Sequence, residues 1–253
     1  MQKIESSSNN IIKQTKKLLT SQGRKKLGMF ILEGERLVRD AVSCGAEVEY
    51  ILVSESFDSG RIPDIGNTYV ISDKLFDEIK TTVNTQGIIA VARYNLLNAC
   101  DINKSEGTYL YLDNISDPGN MGTIIRSANA FGADGIILSV GCTDVFSPKV
   151  LRSTMSGIFS VKLYKDDNSI LPCLVENGFD ILGTFPDGDF SPRSFEYGRK
   201  NVIVMGNEAN GISSAVESVC TQRITIPMTN DAESLNVSVA CGIMLYEAFV
   251  AKQ

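Results

Sequence analysis

Residues 109–140, YLYLDNISDPGNMGTIIRSANAFGADGIILSV, constrain the fold more than any other stretch, because they contain a strand, a polar turn, a helix and a second strand in succession. Residues 109–115 alternate apolar and aromatic side chains and stop at Ser116-Asp117-Pro118-Gly119, a cluster that turns the chain rather than extending it. Asn120 is expected as the N-cap of the helix that follows. Ile124, Ile125, Ala128 and Phe131 then fall at helical spacing, and Gly132 is expected to end the helix before an apolar strand at 135–140. A strand, a crossover helix and a second strand imply a parallel sheet. Ligand sites in such sheets lie beyond the carboxyl ends of the strands, where Asp117 to Asn120 are expected, so that Asn120, Gly122 and Arg126 are the residues to explain. Arg126 lies six residues beyond Asn120, more than one and a half helical turns, so the two side chains converge only if neighbouring loops help. Taken alone, the stretch is explained equally well by a capped helix with a surface arginine.

The rest of the chain divides around this unit. Residues 1–26 read as a polar extension with one helical patch at 11–19. A compact α/β domain is expected over 27–95, with strands at 29–32, 48–53, 68–71 and 87–92 and helices at 35–44 and 74–80. Residues 96–107 lack periodicity and read as a linker. The second domain, 108–253, is expected to add strands at 159–164, 180–184, 201–205 and 224–227, helices near 149–155, 171–177 and 212–219, and a final helix from 236 to 250.

Composition removes whole classes of chemistry. Histidine is absent, which excludes Ser-His-Asp, Cys-His and His-metal sites. The six cysteines form no CxxC pair, so neither a zinc site nor a disulfide framework is expected, and free thiols fit a reducing cytoplasm. The first residues lack the apolar core of a signal peptide, and no apolar run is long enough to cross a membrane. Net charge is −6, yet residues 1–40 hold nine Lys/Arg against four Asp/Glu. Such a patch attracts phosphate, and a solvated helix face explains it equally well. The same two readings apply to Lys149 and Arg152.

Three loops follow three short apolar strands in the second domain, at 117–126, 206–213 and 227–236, each rich in Gly, Asn, Ser and acids. If their strands are parallel, the loops meet at one edge and form a pocket suited to a small polar cofactor. The chain lacks GxxxxGK[ST] and GxGxxG, which disfavours a nucleoside triphosphate or a dinucleotide there.

These loops resemble a known family. DNISDPGNMGTIIRSANAFG at 113–132, MGNEANGIS at 205–213 and IPMTNDAESLNVSVA at 226–240 are similar, in order, to the three motifs of the SpoU or TrmH-like branch of the SPOUT RNA methyltransferases. FILEGERL at 30–37 and QGIIAVA at 86–92 resemble the L30e-like substrate-binding domain of the same family. One departure is Ala209-Asn210, where many relatives carry a glycine-rich pair.

The resemblance implies an α/β fold with a parallel sheet and a deep trefoil knot, one of the exceptions to unknotted chains. It implies S-adenosylmethionine as cofactor, a ribose 2′-hydroxyl of RNA as acceptor, and a homodimer packed through the first motif's helix and the C-terminal helix. No metal, membrane or DNA is called for. Arg126 would act at the target hydroxyl, as an orienting and charge-stabilising donor because guanidinium stays protonated. Asn120, Glu208, Ser234 and Asn236 would hold Arg126 and substrate in place. Thr184, Gly206, Ile226, Met228 and Leu235 would line the cofactor pocket. Glu208 is also explained as a helix-cap partner, and Ser234 with Asn236 as an N-cap pair. The apolar stripe Val239, Ile243, Tyr246 and Val250 fits dimer or core packing. By analogy the small first domain favours ribosomal over transfer RNA; a non-catalytic RNA-binding protein of the same fold is the rival.

Overall fold

The computed structural model describes residues 1–63, 65–94, 96–102, 106–229 and 234–253; residues 103–105 of the expected linker and 230–233 of the third loop lie outside that description. In chain order the first elements are β1 (Gln2–Ile4), α1 (Asn10–Leu18), α2 (Ser21–Leu27), β2 (Met29–Glu33), α3 (Glu35–Ser43), β3 (Val48–Ser54), β4 (Thr68–Ile71), α4 (Asp73–Asp77) and β5 (Ile88–Arg93). There follow β6 (Leu96–Asn98), β7 (Gly107–Leu112), α5 (Pro118–Ala130), β8 (Gly135–Leu138), α6 (Pro148–Thr154), β9 (Leu163–Lys165) and α7 (Ile170–Glu176). The last are β10 (Asp180–Thr184), β11 (Lys200–Met205), α8 (Ser214–Glu217), β12 (Gln222–Ile224) and α9 (Val237–Val250). They form two compact units, residues 1–95 with 144–159, and residues 96–143 with 160–253.

The first unit is a mixed five-stranded sheet in the order β1-β4-β3-β5-β2, in which β5 runs antiparallel to both of its neighbours. Residues 1–26, expected as a polar extension, are folded into it. β1 pairs in parallel with β4, and Ile4, Ile12 and Leu18 are buried in the same core as Ile31, Leu52 and Phe76. The apolar residues of α1 are few, but Ile12, Thr15 and Leu18 recur every three positions and give one dry face. Three basic side chains of this stretch, Lys3, Lys16 and Arg24, are paired with acids. Lys16 meets Glu78, and Lys3 meets Glu5 and Glu55. Arg24 is buried and donates from Nε and Nη2 to Asp144 Oδ2 at 2.9 and 2.7 Å, and from Nη1 to the Leu18 carbonyl at 2.9 Å. Asp144 belongs to a detour, residues 144–159, that leaves the second half of the sequence and packs here, with Phe146 stacked on Tyr94 at 4.3 Å. The single boundary expected at 96–107 does not contain this exchange.

The second unit is a seven-stranded sheet in the order β12-β10-β11-β7-β8-β9-β6, parallel at every pairing. All six residues of β7 are buried, as expected for a strand covered on both faces. From β7 the chain moves through β8 to β9 on one side, and β11, β10 and β12 lie on the other. The order therefore reverses between β7 and β11, where open α/β sheets present a crevice at their carboxyl edge. β6 falls in the expected linker; its three residues pair with β9 at the sheet edge, too few to show a period. β9 begins later than expected, after a single 3₁₀ turn at Gly157–Phe159.

The N-terminus of α5 also corrects an expectation. Its N-cap is Asp117, whose Oδ1 accepts the Asn120 N–H at 2.8 Å, and Pro118 occupies the first helical position. Asn120 thus sits inside the first turn, which frees its side chain for other partners. At its other end α5 meets α9, with Phe131 edge-on to Tyr246 at 5.8 Å between ring centroids.

Candidate functional site

Because β7, β10, β11 and β12 run in one direction, their trailing loops meet at one edge. There they enclose a cavity of about 730 Å³, within the 300–1,000 Å³ span of small-molecule sites. Its wall includes all five residues expected to line a cofactor pocket, Thr184, Gly206, Ile226, Met228 and Leu235. Asn120, Glu208, Ser234 and Asn236 line it as well, and Arg126 does not.

One chain of side chains joins the three loops. Glu208 Oε1 accepts the Asn120 amide N–H at 3.0 Å and the Asp117 backbone N–H at 3.0 Å. Its Oε2 accepts the Ser116 backbone N–H at 3.2 Å and the Ser116 hydroxyl at 3.1 Å. Asn120 Oδ1 accepts the Asn236 amide N–H at 2.9 Å. Asn236 caps α9, its Oδ1 accepting the Ser238 N–H at 2.9 Å and the Ser238 hydroxyl at 2.6 Å. An ionised carboxylate only accepts, so Glu208 fixes the orientation of Asn120, and Asn120 in turn that of Asn236.

Partial desolvation pushes the Glu208 carboxyl up, but the donors from Asn120, its own backbone N–H, Asp117 and Ser116 outweigh it and bring it down to about 2. A carboxylate depressed in the folded state contributes stability that is complete above its ordinary value of 4.5 and is lost as pH falls towards 2. Glu208→Gln is therefore expected to melt below the wild type at pH 7, with a gap that narrows between pH 4.5 and pH 2.5. Because Glu208 is exposed, solvent screening keeps that gap small. An unchanged gap across that range, measured by calorimetry, would contradict this account of the charge.

The second loop is shaped by Gly206 and Asn207. A β-carbon on Gly206 would stand 2.3 Å from the Gly211 carbonyl carbon and the Ile212 nitrogen, so only glycine allows the loop to fold over itself. Asn207 and Gly211 exchange two backbone hydrogen bonds of 2.9 Å. Asn207 Oδ1 accepts the Ala209 and Asn210 N–H groups, closing an Asx turn, and its amide donates to the Asn114 carbonyl at 2.8 Å. The Ala209-Asn210 departure thus sits in a turn whose backbone is held by Asn207. Thr184 donates its hydroxyl to the Val204 carbonyl at 2.9 Å.

Arg126 is exposed on α5, about 120° around the helix axis from Asn120. Among the described residues its side chain has no hydrogen bond or ion pair. The structure therefore brings together Asn120, Glu208, Ser234 and Asn236 and leaves Arg126 outside this chain's own cavity. Three contributors were missed by the sequence reading. Asp113 is buried at the end of β7 and accepts the Ser213 N–H at 2.7 Å; Asn207 and Phe185 are the others. An acid ending an apolar strand and an asparagine before a glycine-closed turn were signals for the first two. Among the described residues no group of three His, Cys, Asp or Glu is arranged to hold a metal, and no helix is long and apolar enough to cross a membrane.

The chain is similar to known proteins over most of its length. Residues 107–246 match the model of the SpoU rRNA methylase family, and residues 9–90 match an MRM3-like substrate binding domain. A 23S rRNA (guanosine(2553)-2′-O)-methyltransferase of Bacillus subtilis is 32% identical over 254 residues, 97% of this chain and 98% of that protein. The crystal structure of an AdoMet-bound rRNA methyltransferase from Sinorhizobium meliloti superposes with a TM-score of 0.86 at 29% identity, covering 98% of this chain and 97% of that one. The methyltransferase AviRb from Streptomyces viridochromogenes, in complex with AdoMet, gives 0.85 at 26% identity over 96% and 98% of the two chains.

Proposed function

This chain belongs to the SpoU rRNA methylase family, and from that premise we propose that it transfers a methyl group from S-adenosylmethionine to a ribose 2′-hydroxyl of ribosomal RNA. The observation that carries the proposal is the cavity at the β7/β11 reversal, whose polar wall is one connected chain from Glu208 through Asn120 to Asn236. The cavity fits the cofactor chemically: apolar side chains such as Ile224, Ile226 and Met205 suit a nucleoside base, and a carboxylate with two amides suits a polar, charged region. When bound, the cofactor supplies a methyl group already activated by its sulfonium. The chain has to hold an RNA hydroxyl in line with that methyl and stabilise the charge that develops as the proton leaves. Arg126 is assigned the second task, and Asn120, Glu208, Ser234 and Asn236 the first. Thr184, Gly206, Ile226, Met228 and Leu235 are assigned to the cofactor.

A trefoil knot in the second unit and an L30e-like, RNA-binding role for residues 27–95 complete the proposal, in a cytoplasmic enzyme. The match of residues 9–90 to a substrate-binding domain supports that role. A homodimer is proposed through α5 and α9. Its support is the outward face of α9, where Val239 and Tyr246 are each 51% exposed and Val250 44%, more apolar surface than a solvated helix usually presents. Arg126, exposed on the helix that packs against α9, would then serve a partner's cavity. Tyr246→Asp is expected to turn a dimer into a monomer in sedimentation velocity; a wild type that sediments as a monomer would sink the dimer. For the function itself, ribosomal RNA from cells lacking the gene should lack one 2′-O-methyl mark that returns with the wild-type gene. An unchanged set of marks would contradict it.

A further inference from the structure

One wall of the cavity is built more firmly than a solvent-facing turn requires. After β10 the chain turns through residues 185–190, and this turn is stitched to β12 and the residue beyond it. The Phe185 N–H donates to the Ile224 carbonyl at 2.9 Å, the Asp189 N–H to the Arg223 carbonyl at 3.0 Å, and the Thr225 N–H to the Phe190 carbonyl at 2.8 Å. The Thr225 hydroxyl donates to the Pro186 carbonyl at 2.9 Å. Gly188 lies so close that a β-carbon there would stand 2.5 Å from the Ile224 carbonyl carbon.

The turn presents Phe185 to the cavity. The ring covers Gly183, where an added β-carbon would come within 2.4 Å of the ring edge. Over the ring lies the Arg223 guanidinium, its central carbon 3.8 Å from the ring centroid. Both arms of that guanidinium are tied, Nη1 to Glu217 at 2.6 Å and Nη2 to Asp187 at 2.9 Å. A cation at this distance is attracted by the electron-rich face of an aromatic ring, and two carboxylates hold it there.

Sheet order says what the ring is for. From β12 and β10 to β11 and β7 the strands step by about 4.8 Å each, so the cavity spans roughly 14 Å. Phe185 and Ile224 stand at the β10/β12 end, and Asn120 and Glu208 follow β7 and β11. Methyl transfer has to occur where the polar side chains are, which leaves the aromatic end for the flat base.

We propose that Phe185 is the platform for the adenine of the cofactor and that Arg223 is its positioning residue, a role that presupposes the methyl-transfer function proposed above. Arg223 holds the ring against the wall and draws electron density through it, which favours an electron-rich base stacked on the cavity side.

The test is calorimetric titration of the full-length protein with S-adenosylmethionine, S-adenosylhomocysteine and adenosine. Phe185→Leu and Arg223→Leu should each weaken all three by about tenfold, because the affected part is common to them. Arg223→Lys should recover part of the loss, and the double variant should bind no worse than Phe185→Leu alone. At saturating cofactor, kcat should stay within about twofold while KM for the cofactor rises. Asp187→Asn, which releases one arm on the surface, gives a two- to fivefold loss and covers the case in which Arg223→Leu does not fold. Wild-type affinity for adenosine in Phe185→Leu and Asp187→Asn, or a loss seen with S-adenosylmethionine but not adenosine, would overturn the assignment. If the wild type binds none of the three ligands, the methyl-transfer function fails and this role with it.

Discussion

Arg126→Ala is expected to lower methyl transfer by ~10²–10³-fold while S-adenosylmethionine still binds within about twofold of the wild type. The split follows from where Arg126 stands. It is exposed on α5 and lies outside this chain's own cavity wall, so its loss leaves every residue assigned to the cofactor in place. A planar guanidinium with its fork of N–H donors is suited to stabilise a developing oxyanion. If a second copy supplies it, mixing Arg126→Ala with Glu208→Ala protomers should restore part of the activity that each lacks alone. Normal turnover by Arg126→Ala would remove it from the mechanism. A parallel loss of cofactor affinity would move it into the binding site.

Gly206→Ala is expected to weaken cofactor binding by at least ~100-fold and to lower stability by ~1–3 kcal/mol. The added methyl group would meet backbone atoms of Gly211 and Ile212 at 2.3 Å, and no side-chain rotation relieves that contact. The turn from Asn207 to Gly211 would have to open, drawing Glu208 away from Asn120, Ser116 and Asp117. Titration and a melting curve on the same sample separate the two effects. Tight binding by Gly206→Ala would mean that the loop rearranges to bind, contrary to a preformed site.

Much of this site was legible in the sequence because its signals are local. The apolar run of β7, the Asp-Pro-Gly turn and the helical spacing of Ile124, Ile125 and Ala128 each fall within one element, and the structure returns them within a few residues. The three loops could be grouped because parallel strands send them to one edge. What the sequence did not give depends on contacts between distant residues. Asp117 takes the cap expected of Asn120 because proline fits the first helical position and because Asn120 is drawn towards Glu208, 88 residues away. Residues 1–26 look loose by composition, yet β1 finds its partner in β4, 67 positions on from Gln2 at Tyr69. The detour at 144–159 is anchored by Arg24 and Asp144, 120 residues apart, and no periodicity reports such a pair. The Phe185 and Arg223 stack is hidden for the same reason, since β10 and β12 are neighbours only in the sheet.

The measurement that bears most directly on the central claim is incubation of the purified protein with methyl-labelled S-adenosylmethionine and ribosomal RNA that lacks the modification, followed by alkaline hydrolysis. A methyl group on the ribose 2′-oxygen blocks attack on the adjacent phosphate, so that linkage survives. The account predicts label in an alkali-resistant dinucleotide, present with the wild type and absent with Arg126→Ala. Label recovered in a mononucleotide, which would place the methyl group on a base, or no transfer to RNA at all, would contradict it.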